Sequence, residues 1–488
     1  MSIATEREES MNKSKDSVVS GLIWSFAERI SAQLVTTIVS IVLARLLDPT
    51  HYGVISIVTV FISLCNVFVA SGMGSALVQR NSIDDVDYNT AFSLNMLLSI
   101  GLYALLYFLA PLISAIYGMP ILCNVIRVMG IRLPFAAINS IQEARVQREM
   151  AFQKFFITTL SGTIFSAIVG IILAYKGAGV WALVAQYLTN AIVNTFALSF
   201  VNKWMPKFQL SRDRAKSIFT FGSKVLSSQF ISTLTVDIRS LIIGKVFGSS
   251  ELAYFDQGKK YPALVVNNVN AALNKVMLPV YSKQQDNIMQ LKSMLRRSIN
   301  VGIYILAPIL IGFAAVSDTF VSLILTEKWL PCVPFLQIFC FSYLTRPLES
   351  SCHQALLALG KAELVLKILM IVDAANIIFI LVTVFIYHDL LLTAIGALLA
   401  TLVSIICFMV AAKIEIAYQY KEQLSDIIPT LIMSVMMYLG VRYLGQFINS
   451  DILRLLAQIA VGIIIYLIGS VILKLPGFNY MLKLIRKR

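Results

Sequence analysis

The chain has 488 residues, of which 58% belong to the hydrophobic classes and only 14% are charged. Soluble domains carry about 25% charged residues, so this composition excludes a water-soluble enzyme, a coiled coil and a disordered protein. It predicts an all-α polytopic membrane protein, because each spanning helix needs about 20 apolar residues. We expect the net charge of +14 to reflect topology rather than nucleic-acid binding, since Lys and Arg collect in cytoplasmic loops.

Fourteen apolar windows follow one another along the chain, separated by charged residues or by Pro and Gly. They lie at 18–44, 53–78, 90–116, 120–143, 156–175, 179–201, 217–244, 252–280, 298–317, 332–359, 363–387, 389–412, 425–446 and 452–473. The first 17 residues are polar and contain no apolar run of a signal peptide, so the amino terminus is expected to stay in the cytoplasm. With that orientation 23 Lys and Arg residues fall in inner segments and six in outer connections, in agreement with the positive-inside rule. Both termini are then predicted to be cytoplasmic, in a multi-pass protein of the cell inner membrane.

An internal repeat of 200 residues divides the chain into two halves. The segment Leu43–Ser56 (LARLLDPTHYGVIS), which follows the first window, resembles Ile243–Asp256 (IGKVFGSSELAYFD). In each half the preceding helix carries a polar stripe on one face, because the spacing is three or four residues. The stripes are Ser25, Arg29, Gln33, Thr36 and Ser40, and Lys224, Ser228, Ser232, Thr235 and Arg239. Each half starts on the same side of the membrane, so we expect two parallel six-helix repeats plus two extra C-terminal helices.

This repeat defines the predicted domain organisation. A cytoplasmic N-terminal tail (1–17) is followed by an N-terminal six-helix lobe (18–202), a basic cytoplasmic linker (203–216), a C-terminal six-helix lobe (217–412), a second cytoplasmic linker (413–424), helices 13 and 14 (425–473) and a basic cytoplasmic tail (474–488). Proteins built from such repeats are commonly transporters in which one half rocks against the other.

Polar and charged residues within the spans are the candidate site, because a charge in hydrocarbon usually faces the bundle interior or a wet cavity. If the polar faces converge, they enclose a cavity whose substrate-binding candidates are Arg29, Gln33, Lys224, Arg239, Lys260, Asn267, Asn270 and Asn274. Cations suit a phosphate or pyrophosphate, and amides suit sugar hydroxyls. The candidates for binding a coupling ion are Asp237, Asp256 and Asp373. Two readings stay open: Arg346 and Glu349 can be a locally satisfied pair, and Lys260 can reach the headgroups.

Four segments carry a resemblance to a known family. They are RLLDPTHYGVISI (Arg45 to Ile57), IQEARVQREMAFQKF (Ile141 to Phe155), LTEKWLPCVPFLQIF (Leu325 to Phe339) and QALLALGKAE (Gln354 to Glu363). With the arrangement of six, six and two spans, the chain resembles the Wzx-like oligosaccharide flippases, the polysaccharide transport branch of the multidrug/oligosaccharidyl-lipid/polysaccharide exporter superfamily. Its VQREMAF element is most similar to the subgroup of colanic acid and teichuronic acid exporters.

The resemblance implies a cargo and partners. It implies translocation of an undecaprenyl-pyrophosphate-linked oligosaccharide repeat unit, for exopolysaccharide, capsule or lipopolysaccharide biosynthesis. It also implies a polysaccharide polymerase and a chain-length regulator as partners. It transfers no site residue, because the family shares no catalytic motif.

Three other functions remain compatible with parts of the sequence, besides transport of a lipid-linked saccharide. A membrane glycosyltransferase or repeat-unit polymerase could use the sequence Asp85-Val86-Asp87 for a metal, but His51, His353 and His388 are scattered and form no site. A cation-coupled drug or metabolite antiporter would share the fold, although the cationic stripes favour an anionic cargo. A lipid II flippase would share the pyrophosphate chemistry. The sequence predicts a transporter with no catalytic residue, no metal and no cofactor, and it leaves open coupling to a Na+ or H+ gradient or to the membrane potential.

Overall fold

The computed structural model of the protein describes residues 30–70, 73–79, 83–149 and 151–486. All regular secondary structure in this part is helical, and ten of its helices are long and apolar enough to cross a membrane. The predicted all-α polytopic fold is confirmed. The chain forms two compact units, one up to Leu252 and one from Ala253 onward.

The first unit contains the helices α1 (Ile30–Leu46), α2 (Pro49–Ala70), α3 (Met73–Gln79), α4 (Asp85–Tyr117), α5 (Ile121–Gly130), α6 (Arg132–Arg148), α7 (Phe152–Tyr175), α8 (Val180–Asn202), α9 (Arg212–Val246) and the start of α10 (Ser249–Ser282). Asp84 caps the start of helix α4, and Gly118 follows its last residue with a left-handed φ of 65°, which suits glycine. The core of the unit is formed by fully buried apolar side chains such as Ile57, Leu122 and Leu133.

The second unit contains most of α10, then α11 (Ile288–Phe320), α12 (Val333–Tyr343), α13 (Arg346–Ala358), α14 (Ala362–Leu381), α15 (Leu390–Ile416), α16 (Tyr420–Gly445), α17 (Asp451–Ile472) and α18 (Pro476–Arg486). A π-helical turn (Val321–Leu325) and a 3-10 turn (Glu327–Cys332) connect α11 to α12. The core lies between α11, α13 and α15, where Leu295, Leu356 and Phe408 are buried together.

In the part of the chain that the structure describes, every predicted apolar window overlaps a helix or a helix pair. Ten windows match the ten candidate spans, and the other four contain α1, α9, α10 and the short pair α12 and α13. These four windows do not meet the length and hydropathy expected of a spanning helix. Helix α1 is described over only 17 residues, α9 and α10 carry many polar residues, and α12 and α13 have only 11 and 13 residues.

Within the predicted basic tail, residues 476–486 form the helix α18. It packs on α11: a Cβ on Gly477 would lie 2.5 Å from Tyr304 Cβ, and the Phe478 ring centroid is 6.2 Å from that of Tyr304. The segment is too short to span a membrane, so an apolar window could not reveal it.

Candidate functional site

The start of α2 crosses the start of α10, and we refer to Thr50, Gly53, Ser249 and Ser250 as the α2–α10 crossing. Thr50 Oγ1 lies 3.0 Å from Ser250 Oγ, and the two residues are one repeat period apart. A Cβ on Gly53 would overlap the backbone of Ser249. Glycine is therefore required for this approach, because any side chain would push the two helices apart.

Helix α9 holds two of the predicted site residues next to α2. The Ser63 hydroxyl of α2 donates a 2.6 Å hydrogen bond to Oδ2 of Asp237. Arg239 is partly buried and interacts with other residues. An acidic and a basic candidate thus lie two residues apart on one helix, and the acidic one connects it to α2.

The other candidates of the first unit are Gln33 on α1, Lys224 on α9, and Arg29. Gln33 Nε2 donates to Thr37 Oγ1 at 3.3 Å, so this amide is bonded within its own helix. Arg29 lies outside the described residues, and so does the side chain of Lys224. Thr37 was not part of the predicted stripe, although it accepts the bond from a stripe residue.

Lys260 lies on α10, where its Nζ is 5.9 Å from the ring centroid of Tyr261. Within the described residues it forms no ion pair. Asp256, one turn earlier, is partly buried and interacts with other residues. Helix α10 is continuous across this region, so the sequence spacing of four puts the carboxylate and the ammonium on one face.

The asparagines predicted for the cavity follow on the same helix. Asn267 is exposed, whereas Asn270 is partly buried and its Oδ1 has no hydrogen-bond partner. The side chain of Asn274 lies outside the described part. Asp373, the third ion-coupling candidate, is partly buried on α14. The convergence of these residues on one cavity stays a prediction.

The Asp85-Val86-Asp87 sequence belongs to a helix cap. Asp84 accepts the backbone N–H of Asp87 at 2.9 Å, and Arg214 pairs with Asp84 and, at 2.8 Å, with the buried Asp87. The Asp87 N–H and the Arg214 guanidinium hold the pKa of the Asp84 carboxyl below its ordinary value. Asp87 therefore fixes the start of α4, and within the described residues no group of three or more His, Cys, Asp or Glu is arranged to hold a metal ion.

The predicted basic linker lies along α4 as an extended segment. The backbone N–H of Lys207 donates to Asn89 Oδ1 at 3.0 Å, and that of Gln209 donates to Ser93 Oγ at 3.0 Å. Polar residues inside an apolar helix are thereby satisfied by the linker backbone, as burial requires. Asn89 and Ser93 therefore hold the linker on α4, although polar residues at this position in a span would also fit a binding site.

The VQREMAF element connects neighbouring helices at the end of α6. Arg148 Nη1 donates to the Leu77 carbonyl at 3.2 Å, next to the end of α3. Glu149 accepts from Arg145 and from Lys154, both at 3.0 Å. The family-like motif of this region therefore stabilises a helix connection and binds no described site residue.

A second ion-pair cluster joins α11 to the start of α16. Arg296 donates to Asp426 from Nε at 2.7 Å and from Nη2 at 2.9 Å, and Tyr418 donates to the same carboxylate at 2.7 Å. Glu422 pairs with Lys292 at 2.6 Å. The carboxylate of Asp426 is buried and fully engaged, so this cluster fastens the first of the two extra helices to α11.

Arg132 is a charged span residue that the candidate set omitted. It begins α6 immediately after the break at Ile131, and its guanidinium carbon is 5.0 Å from the ring centroid of Tyr187. Arg346 occupies the corresponding break between α12 and α13, where it pairs with Glu349 at 3.4 Å. In the windows 120–143 and 332–359, an arginine close to a proline lies near the middle. This pattern could have indicated a helix break that carries a charge.

Taken together, a polytopic helical bundle with cations and amides inside its spans defines a membrane transport protein. The chain belongs to the family described as "Polysaccharide biosynthesis protein", which matches residues 42–334. The predicted resemblance is therefore confirmed.

Individual relatives agree with the family. The chain is 23% identical to the teichuronic acid biosynthesis protein TuaB of Bacillus subtilis, over 71% of this chain and 72% of that protein. It is 23% identical to the lipopolysaccharide biosynthesis protein WzxC of Escherichia coli, over 72% of each. The solved structure of the lipid II flippase MurJ in an inward closed conformation has the same fold, with a TM-score of 0.75, 17% identity and coverage of 93% of this chain and 98% of MurJ. A transport protein rather than an enzyme was predicted, and these comparisons agree.

Proposed function

We propose that this protein is an inner-membrane flippase for an undecaprenyl-pyrophosphate-linked oligosaccharide repeat unit. It moves the unit from the cytoplasmic to the outer face by alternating access, for exopolysaccharide, capsule or lipopolysaccharide biosynthesis. The observation that carries the proposal is the family match over residues 42–334 on a polytopic helical fold. Lipid II is disfavoured as cargo, because MurJ shares the fold at only 17% identity whereas the sequence relatives are named for other polysaccharides.

The proposed headgroup site is a set of cations and amides from the first predicted span and from α9 and α10. Its members are Arg29, Gln33, Lys224, Arg239, Lys260, Asn267, Asn270 and Asn274. Asn267 supports this assignment, because its amide is exposed within a helix of 34 residues, where contact with lipid is unfavourable. Lys260 supports it too, since it has no ion-pair partner in the described part and can neutralise a phosphate.

Transport in this proposal uses the two repeats as moving lobes, 18–202 against 217–412. Coupling to a Na+ or H+ gradient would act through Asp237, Asp256 or Asp373. A cation or proton at Asp237 would compete with its hydrogen bond from Ser63 and so weaken the contact of α9 with α2. A gradient can bias transport only if the ion binds the two states with different affinity.

The proposed orientation has both termini in the cytoplasm. The excess of Lys and Arg in the inner segments supports it. A polymerase and a chain-length regulator would then receive the cargo at the outer face. The cargo's lipid chain would stay among the acyl chains while the charged headgroup crosses between the lobes.

A deletion strain tests the function. Polyprenyl-linked intermediates are extracted and identified by mass spectrometry, and a membrane-impermeant sugar-oxidising label reports which face they occupy. We expect a complete repeat unit held at the cytoplasmic face. Arg239→Ala should fail to restore export at normal protein level, whereas Lys367→Ala, which removes an exposed cation of α14, should restore it.

The other outcomes identify the rival functions. An incomplete saccharide would indicate a glycosyltransferase, and a complete one at the outer face would indicate a polymerase. Absence of any lipid-linked saccharide would favour an antiporter for another solute.

A further inference from the structure

Arg132 is a cation in the middle of the span formed by α5 and α6, and it has no anionic partner among the described residues. Its guanidinium is stacked at 5.0 Å over Tyr187, and its Nε is buried without a hydrogen-bond partner. Buried polar groups in proteins are almost always paired, and a ring face accepts no full hydrogen bond from Nε. The site around Arg132 is therefore complete only with an acceptor from elsewhere.

In the second unit the arginine at the corresponding break has a carboxylate partner on its own helix. There Arg346 pairs with Glu349 three residues later, at 3.4 Å, and Thr345 donates to that glutamate at 2.8 Å. The residue three positions after Arg132 is Phe135, which offers no charge. The first unit thus keeps the cation of this break and lacks the internal carboxylate.

Arg132 lies at one end of a polar seam between α6 and α8. The two helices run parallel, because Arg132 meets Tyr187 and, further along both helices, Gln142 Nε2 donates to Ser199 Oγ at 2.7 Å. The Oε1 of Gln142 is buried without a hydrogen-bond partner. Polar side chains therefore make a contact between α6 and α8 at each of these two levels.

Helical spacing puts two asparagines on the faces of α6 and α8 that carry the contact of Arg132 with Tyr187. Asn139 lies seven residues after Arg132, and Asn194 lies seven residues after Tyr187, which is about 10 Å along each helix. Both Oδ1 atoms are buried without a hydrogen-bond partner. Helix α7 closes the seam from the side at Gly162, where a Cβ would lie 3.4 Å from Asn194 Cβ.

We propose that the seam formed by Arg132, Asn139, Tyr187 and Asn194 binds an oxyanion of the saccharide headgroup together with neighbouring sugar hydroxyls. This inference rests on the proposed function and adds a subsite to it. Arginine binds planar oxyanions through its fork of N–H groups, and the unpartnered amide oxygens accept hydrogen bonds from hydroxyls. A metal cation would be repelled by the guanidinium, and an apolar ligand would leave every one of these atoms unpaired.

Binding to the purified full-length protein in lipid nanodiscs tests the subsite, with the lipid-linked saccharide extracted from the deletion strain as probe. Arg132→Gln removes the charge, and Phe135→Glu keeps the arginine but supplies the carboxylate that the second unit has. Each should weaken binding by about tenfold, the loss that one charge-assisted hydrogen bond brings. Phe135→Gln is the control for size. Arg127→Gln is the control for an arginine stacked on a tyrosine, since Arg127 lies 4.3 Å from the ring of Tyr107.

Sodium phosphate is tested separately to identify the source of the oxyanion. If phosphate binds in a manner that depends on Arg132 while all variants bind the saccharide equally, the seam holds a free anion and the assignment to the cargo is overturned. Unchanged saccharide binding by both Arg132→Gln and Phe135→Glu also overturns it. Failure of the wild-type protein to bind the saccharide would instead contradict the proposed function. Equal melting temperatures of Arg132→Gln and Arg127→Gln without ligand confirm that both variants fold.

Discussion

A disulfide across the α2–α10 crossing tests which parts of the chain move against each other. Thr50 and Ser250 occupy equivalent positions of the two repeats, and their hydroxyl oxygens are 3.0 Å apart. If the moving bodies are the lobes 18–202 and 217–412, these residues must separate during transport. If the boundary lies at Leu252 instead, both residues belong to one body and stay together. The variant Thr50→Cys with Ser250→Cys distinguishes the two arrangements.

A disulfide between residues 50 and 250 would permit very little motion between the starts of α2 and α10. A disulfide has a sulfur separation of about 2.05 Å, so the side-chain ends need to approach by only about 1 Å. Once formed, the bond keeps the two Cα atoms within about 7 Å, so the starts of α2 and α10 cannot part. With about nine-tenths of the molecules cross-linked, we expect about one-tenth of normal export, because a blocked molecule cannot change state.

Export is assayed as surface polysaccharide in a deletion strain that carries the variant, before oxidation, after oxidation and after reduction. The six native cysteines are first replaced by alanine. Ser298→Cys with Ser351→Cys is the matched control, because these hydroxyl oxygens lie 2.9 Å apart and are buried between α11 and α13 of one unit. Cross-linking this control should not change export. Full export by completely cross-linked Thr50→Cys with Ser250→Cys would refute the repeat-based division of the moving lobes.

Three further substitutions test contacts that hold the structure together. Gly53→Ala should lower both the melting temperature and export, because its Cβ overlaps the backbone of Ser249 and overpacking costs about 1–3 kcal/mol; an unchanged melting curve would contradict the close approach. Asp426→Asn should reduce the free energy of unfolding by about 3 kcal/mol, since Arg296 loses the anion to which it donates twice; an unfolding titration measures the loss, and a value near zero would argue against the cluster. Arg214→Gln should speed tryptic cleavage of the linker before α9, because it breaks the ion pairs with the start of α4; cleavage at the wild-type rate would show that these pairs do not hold the linker.

The spans were predictable because hydrophobic length is a property of the sequence alone. Helices such as α14 and α17 contain the long apolar runs that a bilayer requires. The break at Ile131 was not predictable from hydropathy, since the window 120–143 is apolar on both sides of it. Helix α18 was not predictable from hydropathy for a different reason: it packs on Tyr304, which lies far away in the sequence.

The sequence predicts which residues of the candidate site are charged within a span, but it does not predict what they contact. Asp237 is a candidate because a charge in hydrocarbon usually faces the bundle interior or a wet cavity, but its partner Ser63 depends on how α2 packs against α9. Arg132 carries the same signal, a charge within an apolar window, although the candidate set did not include it. The Asp85-Val86-Asp87 sequence shows that a pattern can also suggest a site that the described residues do not form. It is typical of metal binding, but Asp87 takes part in a helix cap and in an ion pair with Arg214.

The segments that reveal the family and the residues that would contact cargo are different parts of this chain. Arg148 and Glu149 stabilise the end of α6, and Lys361, in the last family-like segment, pairs with Glu415 at 2.9 Å. These contacts join the ends of helices, so they preserve an architecture whatever the cargo is. The seam at Arg132 lies inside a span and outside all four segments except for its Gln142 end. Residues that bind the cargo and residues that hold the helix ends together can therefore be tested separately, because substitution of Arg132 or Phe135 leaves the ion pairs of Glu149 and Lys361 in place.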